Sequence, residues 1–356
     1  MYPTAKHKSF GIFVKNQVEA LKKRGIAVDV AAITNPQSGK KNVLMKYTSW
    51  MLRTLKAFLT KGRKYHIVHA HYVFPSGMLG LLFKKCFGTR LIVTAHGGDI
   101  DKMARKNDRL FNWTKRILQE SDHVIAVGNE LYDTILNEFN VPAEKISIIN
   151  MGVNREIFKP INKEVARSSC GMKEETIPIL FVGNMIRQKG LLELMEAMSQ
   201  LIRLESSIHL YLIGPEKDHA FMEELQLFIN ERGIQEHISF LGTKEQTEIA
   251  KWMAAAEIFV LPSHIEGFGL VALEAMACGT PVVGTNVGGL KYLLGDQAGK
   301  IVPPMDSNAI QHAISQLLSD KKECETIIKN GEKRAEENDQ EEMLDRVMDV
   351  YFPTGG

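Results

Sequence analysis

Cysteine is scarce in this sequence. Cys86, Cys170, Cys278 and Cys324 are scattered over 356 residues with no CxxC and no paired spacing. That argues against a disulfide framework or a structural zinc site and fits a reducing compartment. Long apolar runs are lacking too. Stretches such as Ile177–Val182 and Ile258–Leu261 fall far short of the roughly 20 residues that span a bilayer. The opening MYPTAKHKSF has no apolar core, so no signal peptide is expected. GxGxxG, the P-loop lysine motif, GxSxG and HExxH are all absent, which removes the commonest dehydrogenase, kinase, hydrolase and metalloprotease chemistries. Repeats, low-complexity segments and recognisable nucleic-acid-binding motifs are missing as well, so no nucleic-acid partner is expected.

What is present is an ordinary globular composition with an uneven charge. Hydrophobic residues make up 44% and charged residues 24%. The net charge is +2, but residues 1–150 hold 24 Lys/Arg against 11 Asp/Glu, so that half carries +13 and the remainder −11. Length alone suggests about two domains. The charge division suggests that they meet different partners, the basic one something anionic.

Short apolar runs alternate with amphipathic helical patterns almost throughout. Strands are expected near Ala27–Ile33, His66–Ala70, Leu91–Thr94, His123–Val127 and Ile146–Ile149, then near Ile179–Val182, His209–Ile213, Ile238–Phe240, Ile258–Leu261, Pro281–Gly284 and Lys300–Val302. Helical patterns such as Phe10–Lys23 and Phe111–Gln119 separate them. Such alternation implies α/β domains with parallel sheets covered on both faces, which bind ligands at the carboxyl ends of their strands. The polar stretch from Gly152 to Cys170 is the expected boundary, and a cleft between two such domains is the expected ligand site.

Three segments carry the chemistry. In LPSHIEGFGLVALEAMACGTPVVGT, residues 261–285, a strand runs through a loop into a helix. Gly267 and Gly269 let backbone N–H groups approach a ligand, and the helix N-terminus suits a phosphate. Glu266 and Glu274 are eight residues apart, at most about 12 Å at a helical rise. That matches the span from a sugar to a ribose across a diphosphate. In ILFVGNMIRQKGLLELMEAM, Gly183 and Asn184 follow a strand, and Arg187 and Lys189 sit where they can meet a diphosphate. In LIVTAHGGDI, His96 follows a strand and can donate to a substrate hydroxyl or oxyanion. Asp99 and Asp101 form a DxD string, but Asp99 is expected to serve the loop rather than a metal. His69 and His71 point the same way along one strand, with no third metal ligand evident.

These residues resemble family-four glycosyltransferases of GT-B architecture, two Rossmann-like doubly wound domains facing a cleft. The resemblance rests on EGFGLVALEAMACGTPVV, FVGNMIRQKG, TAHGGD, IINMGVNREIFKP and the turn at Gly288–Gly289. It implies metal-independent, configuration-retaining transfer from a nucleotide-sugar, with UDP the usual carrier and no cofactor. By resemblance, Glu274 binds the ribose and Glu266 the donor sugar, while Lys189 neutralises the diphosphate. Phe268, Gly269 and Leu270 offer N–H groups, and His96 lies near the reacting sugar. Gly242, Thr243 and Lys244 sit by the base, and Gly11, in the loop Ser9–Gly11, approaches the diphosphate. The domains would be 1–155, with 341–356 crossing back, and 156–340. Members usually open on a strand before the turn that here is Met1-Tyr2-Pro3, so that strand is expected to be missing.

A basic amphipathic helix is expected over residues 43–64, with Trp50, Met51, Leu55, Phe58 and Leu59 among lysines and arginines. It can lie on an anionic membrane or pack on the sheet. The expected setting is the cytoplasm, at the inner face of the membrane, with a glycan or lipid-linked acceptor in cell-surface polysaccharide or glycolipid synthesis. A nucleotide-sugar epimerase of the same architecture, or a non-catalytic nucleotide-sugar-binding protein, are the alternatives.

Overall fold

The computed structural model describes residues 1–4, 11–35 and 39–353. The chain divides into two domains, Met1–Met151 with the tail from Glu341, and Gly152–Gln340.

The first domain holds a four-stranded parallel sheet of β1 (Ile67–His71), β2 (Arg90–Ala95), β3 (His123–Ala126) and β4 (Ile146–Ile148), in that order. Its helices are α1 (Ile12–Lys23), α2 (Lys40–Lys61), α3 (Met78–Phe87), α4 (Asp108–Glu120) and α5 (Asn129–Asn137). The strands are apolar on both sides because both faces are covered. Leu91, Val93, Val124 and Ala126 enter one core with Ile117 and Ile135. Ile92 and Ile125, one residue out of step, enter another with Leu21, Met343, Leu344 and Val347. The last three lie on the tail helix, Gln340–Tyr351, so the tail supplies part of the cover of this sheet. Arg24 pins it with ion pairs to Glu341 and Asp345.

The strand expected at Ala27–Ile33 does not form, and among the described residues the segment has no ladder partner. It is held by one backbone bond, Tyr2 N–H donating to the Ile33 carbonyl at 3.0 Å, and by side groups: Trp50 Nε1 donates to the Ala31 carbonyl at 3.1 Å, and Asp29 accepts from Lys61 and Tyr65. A cavity of about 1790 Å³ is lined both by this segment (Val28, Val30, Ala32) and by β1 (Val68, Ala70). β1 is an edge strand, so its outer N–H and C=O groups have no ladder there.

The second domain holds a six-stranded parallel sheet. Its strands are β5 (Ile177–Val182), β6 (Ile208–Ile213), β7 (Ile238–Phe240), β8 (Ile258–Leu261), β9 (Val282–Thr285) and β10 (Lys300–Val302), in the order β10-β9-β8-β5-β6-β7. Its helices are α6 (Lys163–Ser169), α7 (Leu191–Leu204), α8 (His219–Arg232), α9 (Gln246–Ala255), α10 (Leu270–Ala277), α11 (Leu290–Leu293), α12 (Ser307–Ser319) and α13 (Lys321–Glu337); the tail helix is α14. The chain winds outward from β5 to β7, returns beside β5 with β8, and winds out the other way. The loops after β5 and β8 therefore meet where the winding reverses, the place where doubly wound sheets take ligands.

The open edge of β1 predicts that an added strand is accepted. Appending about six apolar, β-branched residues ahead of Met1 is expected to raise the melting temperature and slow amide exchange in Ile67–His71. Unchanged melting and exchange would count against it.

Candidate active site

The loop after β5 turns through Gly183 and Asn184 into a short 3₁₀ turn, Arg187–Lys189, that ends on Gly190 at φ 69°. A Cβ at Gly190 would lie 1.9 Å from the Pro262 carbonyl oxygen, so only glycine lets this loop lie against the one after β8. The loops are then tied by backbone, His264 N–H donating to the Gln188 carbonyl at 2.9 Å. At this junction Lys189 Nζ lies 2.6 Å from Glu266 Oε2, and Ser263 Oγ donates to the same oxygen at 3.3 Å. Both charged side chains are less than one-fifth exposed. Ser263 is fully buried, its carbonyl accepting from Thr285 Oγ1. The sequence reading missed Ser263 because a serine in a loop carries no spacing signal.

Gly269 follows at φ 91° and starts α10. The turn at Gly288–Gly289 explains itself here: a Cβ on Gly289 would lie 2.5 Å from both the Gly267 oxygen and the Phe268 Cα. Gly289 N–H donates to the Gly267 carbonyl at 3.0 Å, fixing the backbone of Gly267 and Phe268 just ahead of the helix N-terminus at Leu270. Ala272 N–H donates to the Gly269 carbonyl at 2.8 Å, and the N–H groups ahead of it, at Leu270 and Val271, precede the helix's own ladder.

Glu274, one turn into α10, is 7% exposed. Burial pushes its carboxyl up to about 8, against the opposing hydrogen bond of the Gln246 side chain. Gln246 opens α9 two residues after Lys244, so the helix that follows the loop expected near a base is hydrogen-bonded to the acid expected near a ribose. That link was not legible in the sequence. Gly242, at φ 65°, accepts from Gly214 N–H, and Gly183 donates to the Ile213 carbonyl. The loops after β5, β6 and β7 thus form one bonded series. Lys244 lies 3.6 Å from Glu248 and 5.9 Å from the Trp252 ring centre.

Arg187 is drawn away from the Lys189–Glu266 pair. It pairs with Glu224 on α8 and covers the Phe221 ring at 5.2 Å.

In the first domain, His96 follows β2 and joins a chain of rings. His71 and His96 share a hydrogen bond of 3.1 Å, and His71 stacks on His69 with ring centres 4.4 Å apart. His69 is held at both nitrogens, by Tyr351 and by Thr94, each at 2.6 Å. Burial pushes His69 down to about 4 and His96 to about 3, and burial beside the other two rings holds His71 well below the usual histidine range. Near neutral pH the rings are uncharged, so they can only exchange hydrogen bonds. Asp99 accepts from the backbone N–H of Val73 and of His96, which is a loop-holding role. Tyr72, ring centre 4.7 Å from His96, sits at φ 68°, ψ 129°. A bulky residue there stores of order 1–3 kcal/mol of strain, a feature no sequence pattern announces. Gly11, at φ 74°, starts α1, and a Cβ there would meet the Met1 backbone at 2.7 Å. Ser9 and Phe10 lie outside the described residues.

Residues 162–334 match the family described as glycosyl transferases group 1, and residues 11–157 match glycosyltransferase family 4. The D-inositol 3-phosphate glycosyltransferase of Thermobispora bispora is 32% identical over 297 residues, 78% of this chain and 67% of that one. The chain belongs to the family-four glycosyltransferases. Sucrose-phosphate synthase from Thermosynechococcus elongatus superposes with a TM-score of 0.81 at 26% identity, over 96% of this chain and 92% of that one. Anabaena HepE, solved with UDP-glucose, superposes at 0.76 and 20% identity, over 94% and 88%. The fold is therefore GT-B, and the protein is a glycosyltransferase. Among the described residues no helix is long and apolar enough to cross a membrane.

The Glu274 carboxyl favours its proton in the folded chain. The stabilisation this gives is complete below its ordinary value of 4.5, shrinks as pH rises, and is gone above about 8. Glu274→Gln keeps the neutral form at every pH. It is expected to melt roughly 2–4 °C higher than the parent at pH 9 and alongside it at pH 4. Parallel melting curves across that range would refute the assignment.

Proposed function

We propose that the chain moves a sugar from a nucleotide-sugar, with UDP the first carrier to test, to a glycan or lipid-linked acceptor, keeping the anomeric configuration and needing no metal or cofactor. One observation carries the donor half of this reading. Lys189, Glu266 and the N-terminus of α10 converge where the second sheet reverses its winding. A cation and free N–H groups suit a diphosphate, and a carboxylate suits sugar hydroxyls. Glu274, held neutral, can donate to a ribose oxygen as well as accept. HepE was solved with UDP-glucose, which supports UDP as the first nucleotide to try.

The chemistry follows from what the site offers. The bond from the sugar C1 to the diphosphate breaks, and its electron pair leaves on the phosphate oxygen. The acceptor hydroxyl forms its bond to C1 on the same face and gives its proton to that oxygen. Lys189 and the α10 N–H groups stabilise the charge that develops there.

The test is a panel of UDP-, GDP- and ADP-sugars, with and without glycan, lipid-linked and D-inositol 3-phosphate acceptors. Released nucleoside diphosphate with acceptor-bound sugar of unchanged configuration, insensitive to chelator, is expected. Lys189→Glu should lower turnover by about a hundredfold or more. An isomerised free sugar would establish an epimerase instead, and binding without turnover a non-catalytic protein.

The first domain bears on where the acceptor sits. α2 turns Trp50 and Phe58 inward, the latter ring 5.2 Å from Phe83 and 4.8 Å from Phe87. Of the two placements left open for the apolar residues of this helix, these two take the inward one. The outward stripe is Leu44, Met51, Leu52, Leu55 and Leu59, with Leu44 71% and Leu59 73% exposed. Residues 43–64 carry six Lys/Arg and no Asp/Glu. Such a helix fits an anionic bilayer lying at the cytoplasmic face, where lipid-linked acceptors are found. Sedimentation with anionic liposomes at low salt is expected, with release as salt rises and weakening in Leu55→Asp/Leu59→Asp. No sedimentation at low salt would sink the membrane assignment.

A further inference from the structure

The cation the donor reading needs is already taken. Lys189 and Glu266 form a close pair, with side chains 17% and 15% exposed. The neighbouring cation, Arg187, is engaged by Glu224 and Phe221. If a diphosphate claims Lys189, Glu266 is left as a largely buried carboxylate whose remaining partner among the described residues is the Ser263 hydroxyl, 3.3 Å away. Removing one partner of a buried ion pair is strongly unfavourable because the other charge stays behind uncompensated. A donor that also brings sugar hydroxyls to Glu266 repairs that loss. A bare nucleoside diphosphate cannot.

We infer that Glu266 competes with the diphosphate for Lys189, so that the empty site discriminates against the nucleoside diphosphate and in favour of the nucleotide-sugar. This rests on the donor-site reading above and goes beyond the sugar-holding role given to Glu266 there. It has two consequences. Before transfer, the site is protected from occupation by product. After transfer, once the sugar has left, Glu266 retakes Lys189 and loosens the hold on the leaving group. Both follow from one carboxylate having two alternative partners, the lysine in the empty site and the hydroxyls in the loaded one. Ser263, buried and held through its carbonyl by Thr285, keeps Glu266 within reach of both.

The experiment measures equilibrium binding of UDP, GDP and ADP, and of the matching glucose donors, by calorimetry on the full chain. The nucleotide that binds the parent protein is then used throughout. Glu266→Gln keeps the shape and removes the competing charge. It is expected to bind the free diphosphate about tenfold tighter than the parent, with the preference for the nucleotide-sugar reduced by at least as much. Glu266→Ala, which removes the group altogether, should shift diphosphate affinity in the same direction and serves if the amide variant does not fold. Adding Lys189→Met to Glu266→Gln should erase the gain, since the gain runs through the lysine. Equal or weaker diphosphate binding by folded Glu266→Gln and Glu266→Ala overturns the competition while leaving the donor site standing. Failure of the parent to bind any of the nucleotides overturns the donor-site reading, and the competition with it.

Discussion

At Gly190 a Cβ would fall 1.9 Å from the Pro262 carbonyl oxygen, and the second domain is arranged around the close backbone approach that its absence allows. The sheet reverses its winding between β5 and β8, so the loops leaving these two strands must share one small volume. Were they held apart by a side chain, Lys189 and Glu266 would each point from its own loop into solvent. Held together, they make a pair sheltered on most sides. The same device recurs on the far side of the loop, where Gly289 lets its turn sit against Gly267 and Phe268. The site is thus a set of backbones pressed together at glycines, with the functional side chains carried along by the pressing.

The first domain has no comparable closure on one side. Its sheet ends on β1, and the segment Ala27–Ile33 runs past it with side groups rather than a ladder for support. What steadies the domain is cover from elsewhere in the chain: α14 packs on the sheet beside α1, and Tyr351 from it bonds His69. The ring chain that ends at His96 is therefore anchored by the C-terminal helix. A residue of the candidate site and the last turn of the described chain are three hydrogen-bonded or stacked steps apart.

Most of the fold was legible because its signals are local. Every expected strand of the second domain formed to within two residues, since a parallel strand buried on both faces must be apolar along its length. Gly269 marked the turn into α10, where φ is 91° and glycine is favoured. Ala27–Ile33 has the same local pattern as a strand, but a strand is a pairing, and the pattern says nothing about whether a neighbour is there. Trp50 and Phe58 were left between two placements for a related reason. Periodicity assigns a helix an apolar face, yet α2 has apolar residues on two sides, and only the aromatic cluster of Phe83 and Phe87 decides which one turns inward. Gln246 and Ser263 went unread, the first because its partner Glu274 lies 28 residues away and the second because a serine three residues from an acid is too common to mark a site. Arg187 was read toward a diphosphate, and its partner Glu224, 37 residues away, left no local signal.

The charge of the second half of the chain poses a problem that the site resolves locally. Residues beyond 150 carry −11, an unpromising field for a diphosphate. Two of the acids nearest the expected ligand are neutralised by different means. Burial raises Glu274 to about 8, so near neutral pH it holds its proton. Glu266 is cancelled by Lys189 at 2.6 Å. What an approaching anion meets at close range is then a helix N-terminus and a compensated pair rather than two carboxylates. The more distant acids act through solvent and are screened over about 8–10 Å at ordinary ionic strength. Desolvation at one position and pairing at the other therefore outweigh the net charge of the domain.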